Sequence, residues 1–170
     1  MNGKTLTIHR FTTKIFIMLK KIFLLLFLLP ILFFSQYTAK VIGIKDGDTI
    51  VVLLEGKTQK TLRLAEVDCP ESAQPFGKNA KQFTSSQVFG KEVNYWETDT
   101  DRYGRTIAKV FYDDGKYLSA EIIRNGFGWW YHWFSTDKRL RDLEIEAKKN
   151  NLGLWADRKA VSPWEWRKQN

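Results

Sequence analysis

Apolar and polar residues alternate over short runs beyond residue 37, a pattern that predicts β-strands. The predicted strands cover residues 41–44, 49–54 and 58–67. Tight turns join them at Asp46-Gly47 and at Glu55-Gly56-Lys57, where glycine allows the backbone to reverse. Pro70 ends the third strand because proline has no amide proton to donate to a sheet. The first half of the chain is therefore predicted to form a three-stranded meander.

In the second half of the chain, apolar residues recur at helical spacing in some stretches and alternate with polar residues in others. Helices are predicted over residues 78–89, over 118–125 and from Ser135 or Thr136 to about Asn150, and strands over 91–97 and 105–112. Gly126 is expected in the left-handed conformation that ends a helix. This order is typical of an α+β protein built on a five-stranded Greek-key barrel (OB-fold) with three helices. Strand and turn chemistry alone leaves other small α+β folds open.

The first 35 residues have the composition of an export signal, either a signal peptide or a signal anchor. Their basic residues are Lys4, Arg10, Lys14, Lys20 and Lys21, and they include no acidic residue. The apolar run 22–34 comes next and is short for a membrane span, so we expect a secreted or periplasmic protein. The bulky Phe33, close to a cleavage point after Ser35, leaves an uncleaved membrane anchor as the alternative. Both Met1 and Met18 are candidate start residues.

Length and charge constrain the part of the chain beyond the leader. A chain of 170 residues suffices for one domain with a core, which we place at 36–157 with a C-terminal tail at 158–170. Residues 36–170 contain 22 basic and 19 acidic residues, and this net charge of +3 is compatible with a polyanionic partner without requiring one. Cys69 is the single cysteine, so no intramolecular disulfide can form. We expect a monomer.

Acidic residues at two predicted strand ends form a candidate metal site. Asp48 follows the first turn, and Asp68 lies at the end of the third strand. Carboxylates and backbone carbonyls are the ligands that hard divalent ions prefer, and Pro70 leaves the carbonyl of Cys69 able to point inward. Asp46 is as well explained by an ordinary turn hydrogen bond as by metal binding.

Two arginines and a further carboxylate complete a candidate catalytic set. Glu71 is the best candidate to orient or deprotonate a water molecule; a helix N-terminal role is the alternative. Arg63 and Arg105 lie on predicted strands, where a phosphate group could bind both guanidinium groups. Ordinary ion pairs, to Asp101 or Glu66, are the alternative for these arginines. A metal, a positioned water and two cations are what phosphodiester hydrolysis requires.

Three short segments of the chain resemble the signature segments of a known protein family. They are Asp46-Gly47-Asp48-Thr49, Arg63 with Val67-Asp68-Cys69-Pro70-Glu71, and Asp101-Arg102-Tyr103-Gly104-Arg105. In order and spacing they resemble the signature segments of the staphylococcal (micrococcal, thermonuclease) nuclease family. The similarity extends over about residues 38–156, through Asn151-Leu152-Gly153-Leu154-Trp155.

The resemblance implies a five-stranded barrel with three helices and calcium-dependent cleavage of DNA and RNA that leaves 3′-phosphate ends. By that resemblance Asp48, Asp68 and the carbonyl of Cys69 would bind calcium. Glu71 would be the general base or would orient the water, while Arg63 and Arg105 would stabilise the pentacoordinate phosphate. Oxygen ligands do not separate calcium from magnesium, so magnesium stays open.

Substrate contacts are assigned to Arg102 and Tyr103 of the third segment and to His132 and Phe134. The founding enzyme offers tyrosines for stacking where this chain has His132, Trp133 and Phe134, and the loop 72–78 is shorter and lacks the lysines found there. In the aromatic run 129–134 we expect some rings to pack against helices and one or two to face the cleft.

The sequence leaves two questions open. The segment Trp164-Glu165-Trp166-Arg167 either packs back on the domain or serves as a docking segment. A non-catalytic OB-fold module that binds single-stranded nucleic acid or protein is the rival interpretation of the whole chain. Such a module has no need for Arg63, Glu71 and Arg105 together with the acids.

Overall fold

The structure, a computed structural model, describes residues 35–169 together with Lys20. The predictions made for the leader, apart from this one residue, lie outside the described part. The strands are β1 (Gln36–Asp46), β2 (Thr49–Leu53), β3 (Gln59–Leu64), β4 (Val67–Asp68), β5 (Glu92–Thr100), β6 (Thr106–Tyr112), β7 (Lys116–Tyr117) and β8 (Trp129–Trp130). The α-helices are α1 (Gly77–Val88), α2 (Leu118–Arg124), α3 (Lys138–Lys149) and α4 (Pro163–Gln169). Short 3-10 turns cover Glu55–Lys57 and Gly153–Ala156.

Five of the strands close into a barrel. They pair in the order β3-β2-β1-β5-β6, and a parallel pairing of β3 with β6 closes the ring. In that pairing Leu62 lies opposite Thr106 and Leu64 opposite Ala108. This arrangement confirms the predicted α+β class and the five-stranded barrel.

The barrel interior is filled from alternate positions of its strands, as the alternation in the sequence predicts. Fully buried members are Val41, Ile50, Val52, Leu62, Tyr95 and Val110. Helix α2 covers the barrel with Leu118, Ile122 and Ile123 in the same core, which also includes Leu140 of α3. The core therefore holds the strand ends, where the motif residues lie, in fixed positions.

Two local predictions were wrong. The predicted third strand breaks after Leu64, because Glu66 takes a left-handed backbone conformation (φ 68°), and the chain resumes as β4, paired with β8. Helix α3 is capped by Asp137, whose carboxylate accepts the Arg139 amide proton, and not by Ser135 or Thr136. The Ser135 hydroxyl instead donates to Glu66 at 3.0 Å, which ties the α3 entry to the broken strand.

A fourth helix occupies the predicted tail. A reciprocal cap begins α4: the Ser162 hydroxyl donates to the Glu165 carboxylate at 2.6 Å, and the Ser162 oxygen accepts the Glu165 amide proton. Trp164 stacks on Tyr131 at a ring separation of 6.1 Å and meets Trp129 edge-on. The C-terminal segment thus packs back on the domain. None of the helices in the described residues is long and apolar enough to cross a membrane.

Candidate active site

A cleft of about 1080 Å³ opens beside the barrel and brings the three motif segments together. The motif residues that line it are Asp46, Asp48, Arg63, Asp68, Cys69, Pro70, Glu71, Asp101, Arg102, Tyr103 and Arg105. They come from the β1–β2 turn, the end of β3, the β4 region and the β5–β6 loop. The barrel therefore juxtaposes side chains that are far apart in the sequence.

The β1–β2 turn places Asp48 at the floor of the cleft. Asp46 accepts the Asp48 amide proton at 3.2 Å, the turn hydrogen bond considered for this residue. Helix α1 stabilises this turn, because the Thr84 hydroxyl donates a hydrogen bond to the carbonyl of Gly47 at 2.5 Å. The Cys69 amide donates to Asp48 Oδ2 at 2.7 Å, which links the turn to the segment after β4.

Arg63 joins the two candidate metal ligands. Its Nη2 lies 3.1 Å from Asp48 Oδ2 and 2.8 Å from Asp68 Oδ1, so oxygens of both carboxylates face one nitrogen. Its Nη1 donates to the carbonyls of Leu64 and Val67, both at 2.9 Å. The break between β3 and β4 produces this arrangement, since it turns two carbonyls toward the guanidinium.

Burial of Asp48 disfavours its ionised form, whereas the nearby positive charge of Arg63 favours it. Burial raises the pKa of Asp48 to about 8; Arg63 opposes the shift, while Asp46 and Asp68 add to it. Burial likewise raises the pKa of the Cys69 thiol, so this side chain is a protonated packing group. A carboxylate whose ionised form is this costly to bury favours an additional cation beside it.

Glu71 occupies a turn and not a helix terminus. Its amide donates to Gln74 Oε1 at 3.1 Å, and its carbonyl accepts the Gln74 amide proton at 2.8 Å. Helix α1 begins six residues further on, at Gly77, so the helix N-terminal role is not supported. The Glu71 carboxylate accepts a hydrogen bond from Arg167 at 2.7 Å.

The third motif segment forms a self-bonded loop at the edge of the cleft. Asp101 accepts the amide protons of Tyr103 and Arg105, both at 2.9 Å, and pairs with Arg105 Nε at 2.6 Å. This is one of the ion pairs considered for Arg105, and it leaves the arginine lining the cleft. The Arg102 guanidinium lies over the Tyr103 ring, 4.8 Å from its centre.

The aromatic run divides as expected between packing and the cleft. Tyr131 and Phe134 line the cleft, and Phe134 and Tyr103 are highly exposed there, at 68% and 69%. Trp129 is buried. His132 packs on Trp133 at 4.2 Å and is not among the residues that line the cleft, so its substrate contact stays a prediction.

Comparison with known proteins matches residues 61–157, more than half of the chain, to the family model described as staphylococcal nuclease homologue. The chain belongs to the staphylococcal nuclease family. A protein named micrococcal nuclease from Shigella flexneri is 38% identical over 144 residues, covering 79% of this chain and 82% of its own length. Protein ParB of Escherichia coli is 36% identical over 80% of this chain and 82% of its own. The probable staphylococcal-like nuclease CAN1 of Oryza sativa is 36% identical over 63% of this chain and 32% of its own.

The residues of this staphylococcal nuclease homologue fit a hard divalent ion. Oxygens of Asp48 and Asp68 converge on the Nη2 of Arg63, and the Cys69 backbone is fixed beside them by its bond to Asp48. Carboxylate and carbonyl oxygens are the donors such ions take. Within residues 35–169 no group of three or more His, Cys, Asp and Glu side chains could hold a metal ion, so such a site would depend on two carboxylates and backbone or water oxygens.

Among the residues that line the cleft, Lys109, Tyr131 and Arg167 were not individually assigned to it from the sequence. Lys109 pairs with Glu66 at 3.0 Å, a contact that depends on the break between β3 and β4. Arg167 reaches the cleft from α4. The sequence did contain a signal for that helix, since Ser162-Pro163-Trp164-Glu165 has the spacing of a capping box with proline at the first helical position.

Replacing Gly77 by alanine should lower both stability and activity. A Cβ at Gly77 would lie 2.0 Å from the Glu71 carbonyl oxygen, so the turn that carries Glu71 must move. We expect a loss of about 2 kcal/mol in the free energy of unfolding, the size usual for overpacking, with a slower reaction. Denaturant unfolding and cleavage rates measure both effects. In the control Gly90→Ala an added Cβ meets nothing within 4 Å, so only backbone strain acts and activity should be unchanged.

Proposed function

We propose that this chain is an exported, calcium-dependent endonuclease that hydrolyses phosphodiester bonds in DNA and RNA with little sequence preference and leaves 3′-phosphate ends. One observation carries the proposal: Arg63 bonds Asp48 and Asp68 in the same cleft that Glu71 and Arg105 line. Membership of a nuclease family supports the same chemistry. The domain would span 36–157, with the C-terminal segment packed on it, and would act as a monomer.

Each side chain has a role that its position allows. Glu71 would accept a proton from the attacking water, or hold that water in line, as the water oxygen bonds to phosphorus. Arg63 and Arg105 would donate hydrogen bonds to the phosphate oxygens, whose charge is greatest in the transition state. The bond between phosphorus and the 5′ oxygen breaks, and that oxygen takes up a proton. A divalent ion held by Asp48, Asp68 and the Cys69 carbonyl would supply Lewis-acid stabilisation of the phosphate.

Low sequence preference follows from the groups available around the cleft. Tyr103 and Phe134 present exposed rings there, and stacking on a ring tolerates any base because each base has a π face. Arg102 and Lys109 add positive charge that contacts phosphate without reading sequence. These features support binding of a flexible single strand, whether its sugar is deoxyribose or ribose.

The test incubates residues 36–170 with circular single-stranded DNA, linear duplex DNA and RNA, each with calcium, with magnesium and with a chelator. We expect cleavage with calcium and none with the chelator. Cutting of the circular substrate, which has no ends, would show endonuclease action. Labelling of the products would identify their 3′-phosphates. Binding without cleavage under every metal would favour the non-catalytic OB-fold module instead.

Export is tested separately by expressing the full chain in a bacterial host and fractionating the cells. We expect activity in the periplasm or medium, with the leader removed. Activity that sediments with the membrane and keeps the leader would indicate the anchored alternative.

A further inference from the structure

Helix α4 brings a third arginine to the carboxylates of the cleft. Arg167 Nη2 lies 2.8 Å from Asp68 Oδ2, and its Nη1 lies 2.7 Å from Glu71 Oε1. The guanidinium therefore bridges a candidate metal ligand and the candidate general base. Arg167 lies beyond residue 157, where the match to the family model ends.

The position of Arg167 is built by several contacts of its helix. The Ser162–Glu165 cap begins α4, and Trp164 stacks on Tyr131. Gln74 donates from Nε2 to the carbonyl of Val161 at 2.6 Å, just before the helix. The same Gln74 side chain accepts the Glu71 amide proton through its Oε1, so one buried amide connects the turn of Glu71 with the segment that delivers Arg167.

The shortest bonds of Arg63 and Arg167 to Asp68 go to different oxygens, although Arg167 Nη1 also lies 3.5 Å from Oδ1. Arg63 uses Oδ1 and has only 12% of its side chain exposed, whereas Arg167 uses Oδ2 and has 42% exposed. Arg167 thus acts from the solvent side of the cleft, where an ion and a substrate would enter. The pairing with Glu71 involves Oε1, which restrains that oxygen and leaves the second oxygen able to accept a hydrogen bond from a water molecule.

We propose that Arg167 is a positioning residue of this site, orienting Glu71 for its role and restraining the affinity of the Asp68 site for a divalent cation. The inference rests on the proposed function for its kinetic part. The prediction about cation affinity depends only on charge, because removal of a guanidinium beside Asp68 lowers the repulsion that an entering divalent ion meets.

The experiment compares the full-length protein with Arg167→Gln, Arg167→Lys and a control, Lys168→Gln, which removes an exposed charge from the same helix. Calcium affinity is measured by titration calorimetry, and kcat and KM on a single-stranded DNA substrate. For Arg167→Gln we expect calcium to bind about tenfold more tightly. We expect kcat to fall about tenfold to a hundredfold with KM within threefold of the original. Arg167→Lys should keep the original calcium affinity and only part of kcat, since lysine retains the positive charge but lacks the paired N–H donors of the guanidinium group.

A double substitution separates positioning from a general structural effect. If Arg167 acts through Glu71, then Glu71→Gln combined with Arg167→Gln is no slower than Glu71→Gln alone. The proposal would be overturned if the two substitutions lowered kcat independently, so that their fold-losses multiplied. Unchanged calcium affinity in Arg167→Gln would also overturn it, as would a loss of kcat in Lys168→Gln equal to that in Arg167→Gln. A wild-type protein that binds calcium but cleaves nothing would refute the proposed function, while the affinity comparison still decides the cation part. Absence of divalent ion binding in every variant would overturn both proposals.

Discussion

Replacing Glu71 by glutamine should lower kcat about a thousandfold while nucleotide binding is retained, because a positioned general base contributes about 10²–10⁴ in rate. The amide has nearly the shape of the carboxylate and can still accept from Arg167, but it cannot take a proton from water. Glu71 is also partly exposed, so its substitution should hardly change stability. Single-turnover rates and binding of an uncleaved oligonucleotide measure the two quantities.

The control for this variant is Glu146→Gln, which changes an exposed carboxylate of α3 that does not line the cleft. It should leave the turnover within a few fold of the original. An unchanged rate in Glu71→Gln would remove Glu71 from the chemistry. Equal loss of binding and turnover would assign it to substrate affinity.

Replacing Arg63 by glutamine should cost both catalysis and stability. In the ion-free protein this arginine pairs with the buried Asp68 and lies beside the buried Asp48, and removing one partner of a buried pair costs about 3 kcal/mol or more. Loss of a cation aimed at the developing phosphate charge should lower kcat by about 10²–10³. Saturating calcium should recover part of the stability, since the ion replaces the missing positive charge.

Arg105→Gln provides the matched comparison for that result. Arg105 pairs with Asp101 near the surface, with 35% of its side chain exposed, so its removal should cost at most about 1 kcal/mol. Its turnover should nevertheless fall as steeply as that of Arg63→Gln. Denaturant unfolding with and without calcium, beside single-turnover rates, distinguishes the two arginines. A stability loss in Arg105→Gln equal to that in Arg63→Gln would contradict this assignment.

The sequence predicted most strands and turns because the information for them is local: alternation in the strands, the Asp46-Gly47 turn and Pro70 each determine a short stretch of backbone. The order of the motif segments then favoured the barrel over other small α+β folds. The acids and Arg63 converge because they sit at ends of neighbouring strands. The aromatic run was divided correctly for a similar reason, since one barrel cannot bury every ring.

Features that depend on distant partners were not predictable in this way. The left-handed Glu66 breaks a run that is locally strand-like, and its carboxylate finds Ser135 and Lys109 only in the folded chain. Ser135 or Thr136 was expected to cap α3, yet Ser135 bonds Glu66 and Asp137 forms the cap. Arg167 shows the same limit: its helix had a readable cap, but its partners Asp68 and Glu71 lie about a hundred residues earlier.

We propose that one ion site, formed in part by Asp68, controls cleavage in this cleft. The most direct measurement follows single-turnover cleavage of a labelled oligonucleotide across calcium concentrations, for the wild-type protein and for Asp68→Asn, with calcium binding recorded in parallel. We predict that the wild-type rate follows the occupancy of one calcium site and that Asp68→Asn moves both curves together to higher calcium concentration. Cleavage that survives a chelator, or that is equally calcium-sensitive in Asp68→Asn, would contradict this claim.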